Sequence, residues 1–558
     1  MTENLSFAKS LFLGRVPEDE IFPFPELRED ERESLPVLLE SLRKFLGEKV
    51  DAVRIDREKT VPEEVRRGLG ELGILGMTFP EEFGGFGMSQ TAFCRVCEEL
   101  ATTCASTGIF VGGHSSIGSK ALVLYGTKEQ KEKFLPKLAT GEWVACYALT
   151  EPEAGSDAMS MRTTARLSDD KTHYVLNGSK QWITNGAWAD VFTIFARVEG
   201  EGADGRIGCL ILTKDMEGLV VGKNEDKLGL RGSCTTSLTF EDVRVPVENL
   251  VGRVGEGFKI ALDVLTYGRM SLGASCIGAA RRMIREAALH AAQRKQFGRP
   301  IAEFEMIQEK LWRMAMGVYV LESAVYLTSG LCDGGAEDFQ MESAVCKTYG
   351  SEALWDVIND AVQTVGGNGY MTEYPYERFL RDARINLIFE GTNEIQRLLI
   401  ATLGLQEVRR AVRRASKGAE TSGAGGKTAA LSKPHAALRD EAGVVAEFAE
   451  VLAKKSEALV QRLGKEIRER EILQERFADM LIDLYCLSAT LSRVTRSVEQ
   501  KGEKEAADEI LIAKTFAREA RHRFLRNAAA LDEHDDESRL NVARRVVDAA
   551  DYPWSHVR

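Results

Sequence analysis

Residues 382–397 read DARINLIFEGTNEIQR, and the organisation of the chain follows from that stretch. A short apolar run at 385–389 ends in one carboxylate, Glu390, followed at once by Gly391, Thr392 and Asn393. Glu394, Ile395, Gln396 and Arg397 then open an amphipathic helix that continues through Leu398, Leu399 and Ile400. A lone carboxylate on an apolar wall has its charged form disfavoured, which lifts its pKa toward the range useful to a general base. Gly391 lets backbone approach a ligand closely, and Thr392 and Asn393 can cap the helix and meet an anion at its N-terminus. The plainer reading is a helix-start residue in a surface turn, and on these residues alone it has the better claim.

Outward from this stretch the apolar spacing is helical from 257 to 405, in segments long enough for a bundle. Before it, residues 143–149, 174–176, 191–198, 209–212, 219–221 and 237–240 are short, β-branched or aromatic, and separated by Gly, Asp and Asn, which predicts an antiparallel sheet or barrel. Residues 35–138 are helical again, and residues 1–30, with IFPFPEL, read as irregular chain along a folded body. The expected division is a helical domain at 1–142, a β-barrel at 143–256, a helical bundle at 257–407, a basic segment and linker at 408–434, and a further helical domain at 435–558. The architecture is mainly α with a central β domain. The order helix, β, helix fits no parallel α/β design, and no G-x-G-x-x-G marks a strand-to-helix turn. The GGKT of the small-residue linker ETSGAGGKTAALSKP lacks the first glycine and preceding strand of a phosphate-binding loop.

Composition narrows the class. With 558 residues the chain can form three or four domains. It is 44% hydrophobic and 28% charged, and 73 basic against 85 acidic residues leave a net charge of −12, which argues against whole-chain attraction to nucleic acid. Ten scattered cysteines make no disulfide framework. Cys94 and Cys97 form a C-x-x-C inside a helical pattern without a second pair, so packing is the default there and no metal is expected. No apolar run reaches membrane-spanning length and the N-terminus resembles neither secretion signal nor transit peptide, giving a cytoplasmic protein or a mature organellar form of the mitochondrial matrix.

Four more stretches complete the pattern: 147–157 (YALTEPEAGSD), 180–186 (KQWITNG), 294–298 (RKQFG) and 363–370 (QTVGGNGY). With IFEGTNEIQR they resemble, in register from about 35 to 405, the flavin-dependent acyl-CoA dehydrogenases. The detail is nearest the very-long-chain branch, whose helical appendix residues 476–493 (RFADMLIDLYCLSATLSR) also resemble.

The resemblance implies an FAD enzyme, a homodimer, with site residues as follows. Tyr147, Leu149, Thr150, Gly155 and Ser156 line the flavin, Ser156 reaching substrate as well; hydroxyls and free N–H groups suit the polar edge of the ring. Trp182, Ile183 and Thr184 form the second flavin-contacting strand. Arg294 and Phe297 hold and flank the pyrophosphate, and Gln363, Gly366 and Gly367 meet the adenosine half, often from a neighbouring subunit. Thr392, Asn393 and Glu394 complete the cofactor site. Tyr267, Arg269 and Gly391 belong to the substrate side. Glu390 matches the base; other branches carry a base just before the helical arginine, where this chain has Gly268.

The implied reaction removes the α-proton of an acyl thioester while hydride leaves the β-carbon for the flavin, in fatty acid β-oxidation, with electrons passing to an electron-transfer flavoprotein. Gly112 and Gly113 fall where medium-chain relatives carry bulk, which favours long chains; close helix packing would explain the same glycines. Arg409, Arg410, Arg413, Arg414 and Lys417 form a basic amphipathic segment suited to an anionic bilayer, such as the inner membrane, or to a solvated helix end. The alternatives are an acyl-CoA oxidase and a respiratory-complex assembly scaffold. Glu153 departs from the small residue common at its position.

Overall fold

The computed structural model describes residues 5–200, 202–203, 205–416 and 431–554. Lys417 of the basic segment and most of the small-residue linker, including its GGKT, lie outside them. The chain forms two compact units, Pro23–Gln396 and Met1–Phe22 with Arg397–Arg558.

In the larger unit, the helix Gly257–Gln293 is the axis, packed against Gln90–Thr103, Glu305–Asp333 and Gln340–Val365. Its small residues permit that closeness: a Cβ at Gly278 would lie 2.0 Å from the Glu98 carbonyl oxygen. Arg95 and Arg281 pair with the buried carboxylates of Glu98 and Glu322 between these helices. The helix Glu305–Asp333 is long and apolar enough to cross a membrane, which corrects the expectation that no segment reaches that length; 67% of its apolar window is buried inside the bundle.

The sheet comprises β1 (Ala145–Ala148), β2 (Thr164–Leu167), β3 (His173–Thr184), β4 (Val191–Glu199), β5 (Ile207–Thr213), β6 (Leu219–Val221), β7 (Thr235–Pro246) and β8 (Leu250–Val251). Its order is β6-β7-β3-β2-β4-β5-β8, with β1 added on β4. The sheet is mixed rather than antiparallel, because both β1 and β2 run parallel to β4. β4 and β5 are buried almost throughout, with apolar residues facing both ways. β2 carries alternating polar residues over four positions, too weak a pattern to announce itself.

In the smaller unit, Arg439–Leu463, Glu471–Glu505 and Ala507–Ala530 pack together, with Phe448 and Phe524 stacked at 3.8 Å between ring centroids. The N-terminal stretch is not irregular as expected: Phe7–Leu11 is a helix capped by Ser6, and Phe7 packs on Tyr485. Its five residues are too few to show a period. Arg476, inside the appendix motif, makes a buried pair with Asp536 at 2.6 Å.

Candidate active site

Glu390 stands where the chain leaves a short 3-10 turn, Ile385–Leu387, and before the helix Asn393–Ala415. Both Glu390 (φ 60°) and Gly391 (φ 85°) have left-handed backbone. Gly391 has a second reason: a Cβ there would meet Gln396 Nε2 at 2.3 Å. Thr392 caps the following helix, its Oγ1 accepting from the Ile395 N–H at 3.3 Å. Asn393 turns inward instead, donating to Ser351 Oγ and Glu352 Oε1 at 3.0 Å and accepting from Lys347 Nζ at 2.6 Å.

The left-handed pair swings the carboxylate of Glu390 against the helix Gly257–Gln293, into the space that Gly268 leaves. Its Oε2 is buried with no hydrogen-bond partner among the described residues. Burial raises the carboxyl to about 7, against the downward pull of the Arg269 and Lys347 cations. Arg269 is itself buried, which lowers its guanidinium, and its Nε points to the Glu390 carbonyl at 3.5 Å.

Glu390 lines a cleft of about 520 Å³ together with Gly112, Gly113, Thr184 and Gly268. The two glycines differ. A Cβ at Gly112 would meet nothing within 4 Å, whereas one at Gly113 would lie 2.8 Å from Thr184 Cγ2. Both lie on a π-helical turn, Gly112–Gly118, a distortion frequent at functional sites. His114 pins it: Nε2 donates to the Leu138 carbonyl and Nδ1 accepts from the Ala145 N–H, each at 3.0 Å. Burial lowers the imidazole to about 4, so this brace is neutral. A second apolar cavity of about 450 Å³ shares Gly108, Ile109, Leu272 and Ser275 with the cleft and runs on to Leu354, Ile358 and Phe379.

Tyr147 lies in the sheet core, its hydroxyl donating to the Ala261 carbonyl at 3.3 Å. The Thr150 carbonyl accepts from the Gln181 N–H at 2.9 Å, joining the loop after β1 to β3 beside half-buried Leu149. Gly155 and Ser156 are exposed on that loop. β3 is irregular between Lys180 and Ile183, where Trp182 is left-handed (φ 58°) and 60% exposed while Ile183 is buried. Glu153 forms an exposed ion pair with Arg162. Tyr267 is not among the cleft residues; its ring meets Phe339 edge-on and the Lys120 ammonium at 4.6 Å.

Arg294, Phe297, Gly366 and Gly367 line a separate cavity of about 820 Å³, with Gln363 exposed in the preceding turn of helix. Phe297 is 95% exposed. Glu394 is exposed at the start of its helix. In the smaller unit, Arg409 donates to the Gly464 carbonyl at 2.8 Å and Arg410 pairs with Glu407 at 2.7 Å, while Arg413 and Arg414 are exposed.

Two buried lysines were missed by sequence reasoning. Lys180 Nζ donates to Glu151 Oε1 at 2.7 Å and the Leu149 carbonyl at 3.0 Å, tying β3 to the loop after β1. Lys347 lies under the Glu390–Gly391 turn. For Lys347 the signal was a single cation in a segment otherwise fit for burial; Lys180, between Ser179 and Gln181, gave no such signal. Among the described residues, no cluster of three His, Cys, Asp or Glu could hold a metal.

Comparison with known proteins bears on this arrangement. Residues 32–142, 146–243 and 255–405 match the acyl-CoA dehydrogenase N-terminal, middle and C-terminal domains, and 436–552 match the ACAD9/ACADV C-terminal domain. The chain is 39% identical over 572 residues to the very long-chain specific acyl-CoA dehydrogenase, mitochondrial, of Bos taurus, covering 96% of this chain and 85% of that one. Among solved structures it resembles an acyl-CoA dehydrogenase complexed with FAD from Bacillus anthracis, with a TM-score of 0.84, 33% identity, and 96% and 94% of the two chains covered. It also resembles butyryl-CoA dehydrogenase from Megasphaera elsdenii, with a TM-score of 0.64 and 36% identity over 66% of this chain and 97% of that one.

Proposed function

The chain belongs to the acyl-CoA dehydrogenase family, and from that premise we propose that it oxidises long and very long acyl-CoA thioesters to trans-2-enoyl-CoA, using FAD and passing electrons to an electron-transfer flavoprotein. The observation that carries this reading is the Oε2 of Glu390, without a hydrogen-bond partner among the described residues and buried in a cleft that shares Gly108, Ile109, Leu272 and Ser275 with a second apolar cavity.

The residues present fit a flavin dinucleotide. Added Cβ atoms at Gly155, Gly366 and Gly367 would meet nothing within 4 Å, so backbone is bare where a ligand would lie. Trp182 presents its indole outward from a left-handed strand position, and Thr184 lines the same cleft as Glu390. The isoalloxazine would be held by the 147–156 strand end and by Trp182, Ile183 and Thr184. The pyrophosphate and adenosine would be held by Arg294, Phe297, Gln363, Gly366 and Gly367, with Thr392 and Glu394 completing the site; Asn393, expected there too, is instead turned inward to Lys347 and Ser351. A cavity so open, beside the bare Phe297 ring, supports a homodimer in which a second copy closes it.

Glu390 takes the α-proton. Its carboxyl, held near 7 by burial, is ionised enough to accept that proton and basic enough to want it. The flavin, when bound, supplies the acceptor for the hydride leaving the β-carbon. The α-proton goes to the carboxylate and the hydride to the acceptor, so two hydrogens leave the substrate and the new double bond forms between those carbons. A thioester is a poor carbon acid, so its carbonyl needs fixed donors; one such donor is typically worth about 2.7–4 kcal/mol. The Glu390 backbone N–H is the chain's candidate. His114, neutral through burial, braces the turn that carries Gly112 and Gly113 without adding charge.

The four arginines at 409, 410, 413 and 414 favour contact with an anionic membrane, and a mitochondrial or cytoplasmic setting fits both that contact and the named relatives. The deciding experiment is anaerobic mixing of purified protein with saturated acyl-CoAs of graded length, following flavin absorbance. Fastest bleaching is expected with long chains. Protein that carries no flavin would point to a scaffold, and rapid reoxidation by oxygen to an oxidase.

A further inference from the structure

Beneath the base lies a cation that the reaction as described leaves unused. Lys347 belongs to the first half of the helix Gln340–Val365 and is fully buried. Its ammonium donates to the Gly391 carbonyl at 2.7 Å and to Asn393 Oδ1 at 2.6 Å. Asn393 is held in turn by Ser351, one turn further along the same helix. Gln396 Nε2 donates to the Glu390 carbonyl at 2.8 Å. Each of the two consecutive carbonyls of the left-handed turn is therefore held by a buried side-chain donor. A non-glycine residue in that region is strained and persists only where its surroundings over-determine it.

A buried ammonium is an expensive way to hold two helices together, since an apolar pair of similar volume often does so at least as well. Its charge therefore has a use nearby, and among the titratable groups around it the Glu390 carboxylate interacts with it most strongly.

We propose that Lys347 is a positioning residue for Glu390: it clamps the Glu390–Gly391 turn from below and keeps the carboxylate seated against Gly268. This rests on Glu390 being the base. The groups around the carboxylate are Arg269 on the helix Gly257–Gln293, Lys347 on the helix Gln340–Val365, and Tyr147 on β1. Cys276 and Glu352 face Lys347 as well. Burial holds the Tyr147 phenol and the Cys276 thiol in their neutral forms. Without Lys347, Arg269 alone among these opposes the burial of the carboxylate, and ionisation needs a higher pH.

The test uses the flavin-loaded full chain carrying Lys347→Met, Lys347→Gln or Lys347→Arg. The readouts are flavin content, half-saturating acyl-CoA concentration, and the limiting anaerobic reduction rate from pH 6 to 9. For Met, the limiting rate should fall about 10²-fold, the scale of a 1 Å misplacement, with half-saturation little changed. The rising limb of the pH profile should move up by about one unit in Met and Gln through loss of a neighbouring charge, and Arg should bring it back toward the wild-type position. A wild-type rate and limb in Met and Gln would overturn the proposal, as would an equal displacement in all three. Loss of fold or flavin in all three would overturn it in favour of a purely structural lysine. A wild-type protein inert to every acyl-CoA would instead remove the reading of the reaction itself.

Discussion

The carboxylate of Glu390 is seated against Gly268: a Cβ built on that glycine would lie 2.9 Å from Oε2, and equally close to Ile117 Cγ2. The position just before the helical arginine must therefore stay bare for the Glu390 carboxylate, the proposed base, to fit. Gly268→Ala should displace the carboxylate by a fraction of an ångström into the cleft. The limiting rate of flavin reduction should drop by about tenfold or more, because misplacement of 1 Å costs about 10², while acyl-CoA affinity changes little. Stopped-flow reduction beside equilibrium titration with a non-reacting thioether analogue separates the two. An unchanged rate would mean that the carboxylate works from another seat.

Glu390→Gln should keep flavin and bind acyl-CoA but lose reduction by several orders of magnitude. In the wild type, reduction should rise with pH through about 7 as the carboxylate forms.

The same group makes a stability prediction of definite sign. Its folded-state pKa, raised from 4.5 to about 7, means that the stability it contributes is complete below about 4.5 and is lost as pH rises through 7. The Gln variant stays neutral, so it should be the more stable protein at pH 8, by up to about 3 kcal/mol at 1.36 kcal/mol per pK unit. The two should converge near pH 4.5. Urea unfolding midpoints at both pH values check this, and a wild type that is the more stable at pH 8 would contradict the burial argument.

Gly112 and Gly113 should part company on substitution. Gly112→Leu places bulk in open space on the cleft wall, so the preferred acyl chain should shorten with little loss of stability. Gly113→Ala drives a methyl against Thr184, an overpacking that typically costs 1–3 kcal/mol. Chain-length profiles and thermal melts of both variants distinguish pocket from packing. Identical behaviour would refute the distinction.

Within the basic segment, Arg409 and Arg410 have protein partners. Replacing Arg409, Arg410, Arg413 and Arg414 with alanine should weaken co-sedimentation with anionic liposomes, each surface cation near such a membrane contributing about 1 kcal/mol. Equal sedimentation of both forms would end the idea.

Much of this site was legible before any coordinates. A glycine directly after an isolated acid, then Thr and Asn before a helical run, announced a turn and a cap. Thr392 does cap, and Gly391 does need its missing side chain. What could not be read is what holds the turn. Asn393 reads as a cap from its position but is turned inward by Lys347, forty-six residues earlier in the chain. Such a partnership across two helices leaves no local periodicity. The parallel addition of β1 and β2 to β4 escaped for the same reason, since strand direction depends on where the chain returns and not on the residues in the strand. Tyr267 shows the limit from the other side: it adjoins Gly268 in sequence, yet its ring faces Phe339 and Lys120 because helical neighbours point a hundred degrees apart.

Phe297 holds its phenyl ring almost wholly in water, on a left-handed residue at the rim of the 820 Å³ cavity. In the proposed homodimer, so greasy a rim would make the behaviour of the sample depend on how much of it is in the tube. On serial dilution the yellow colour should wash out in step with the apparent mass, and a charged residue grafted at 297 should leave a pale, monodisperse preparation even at high concentration.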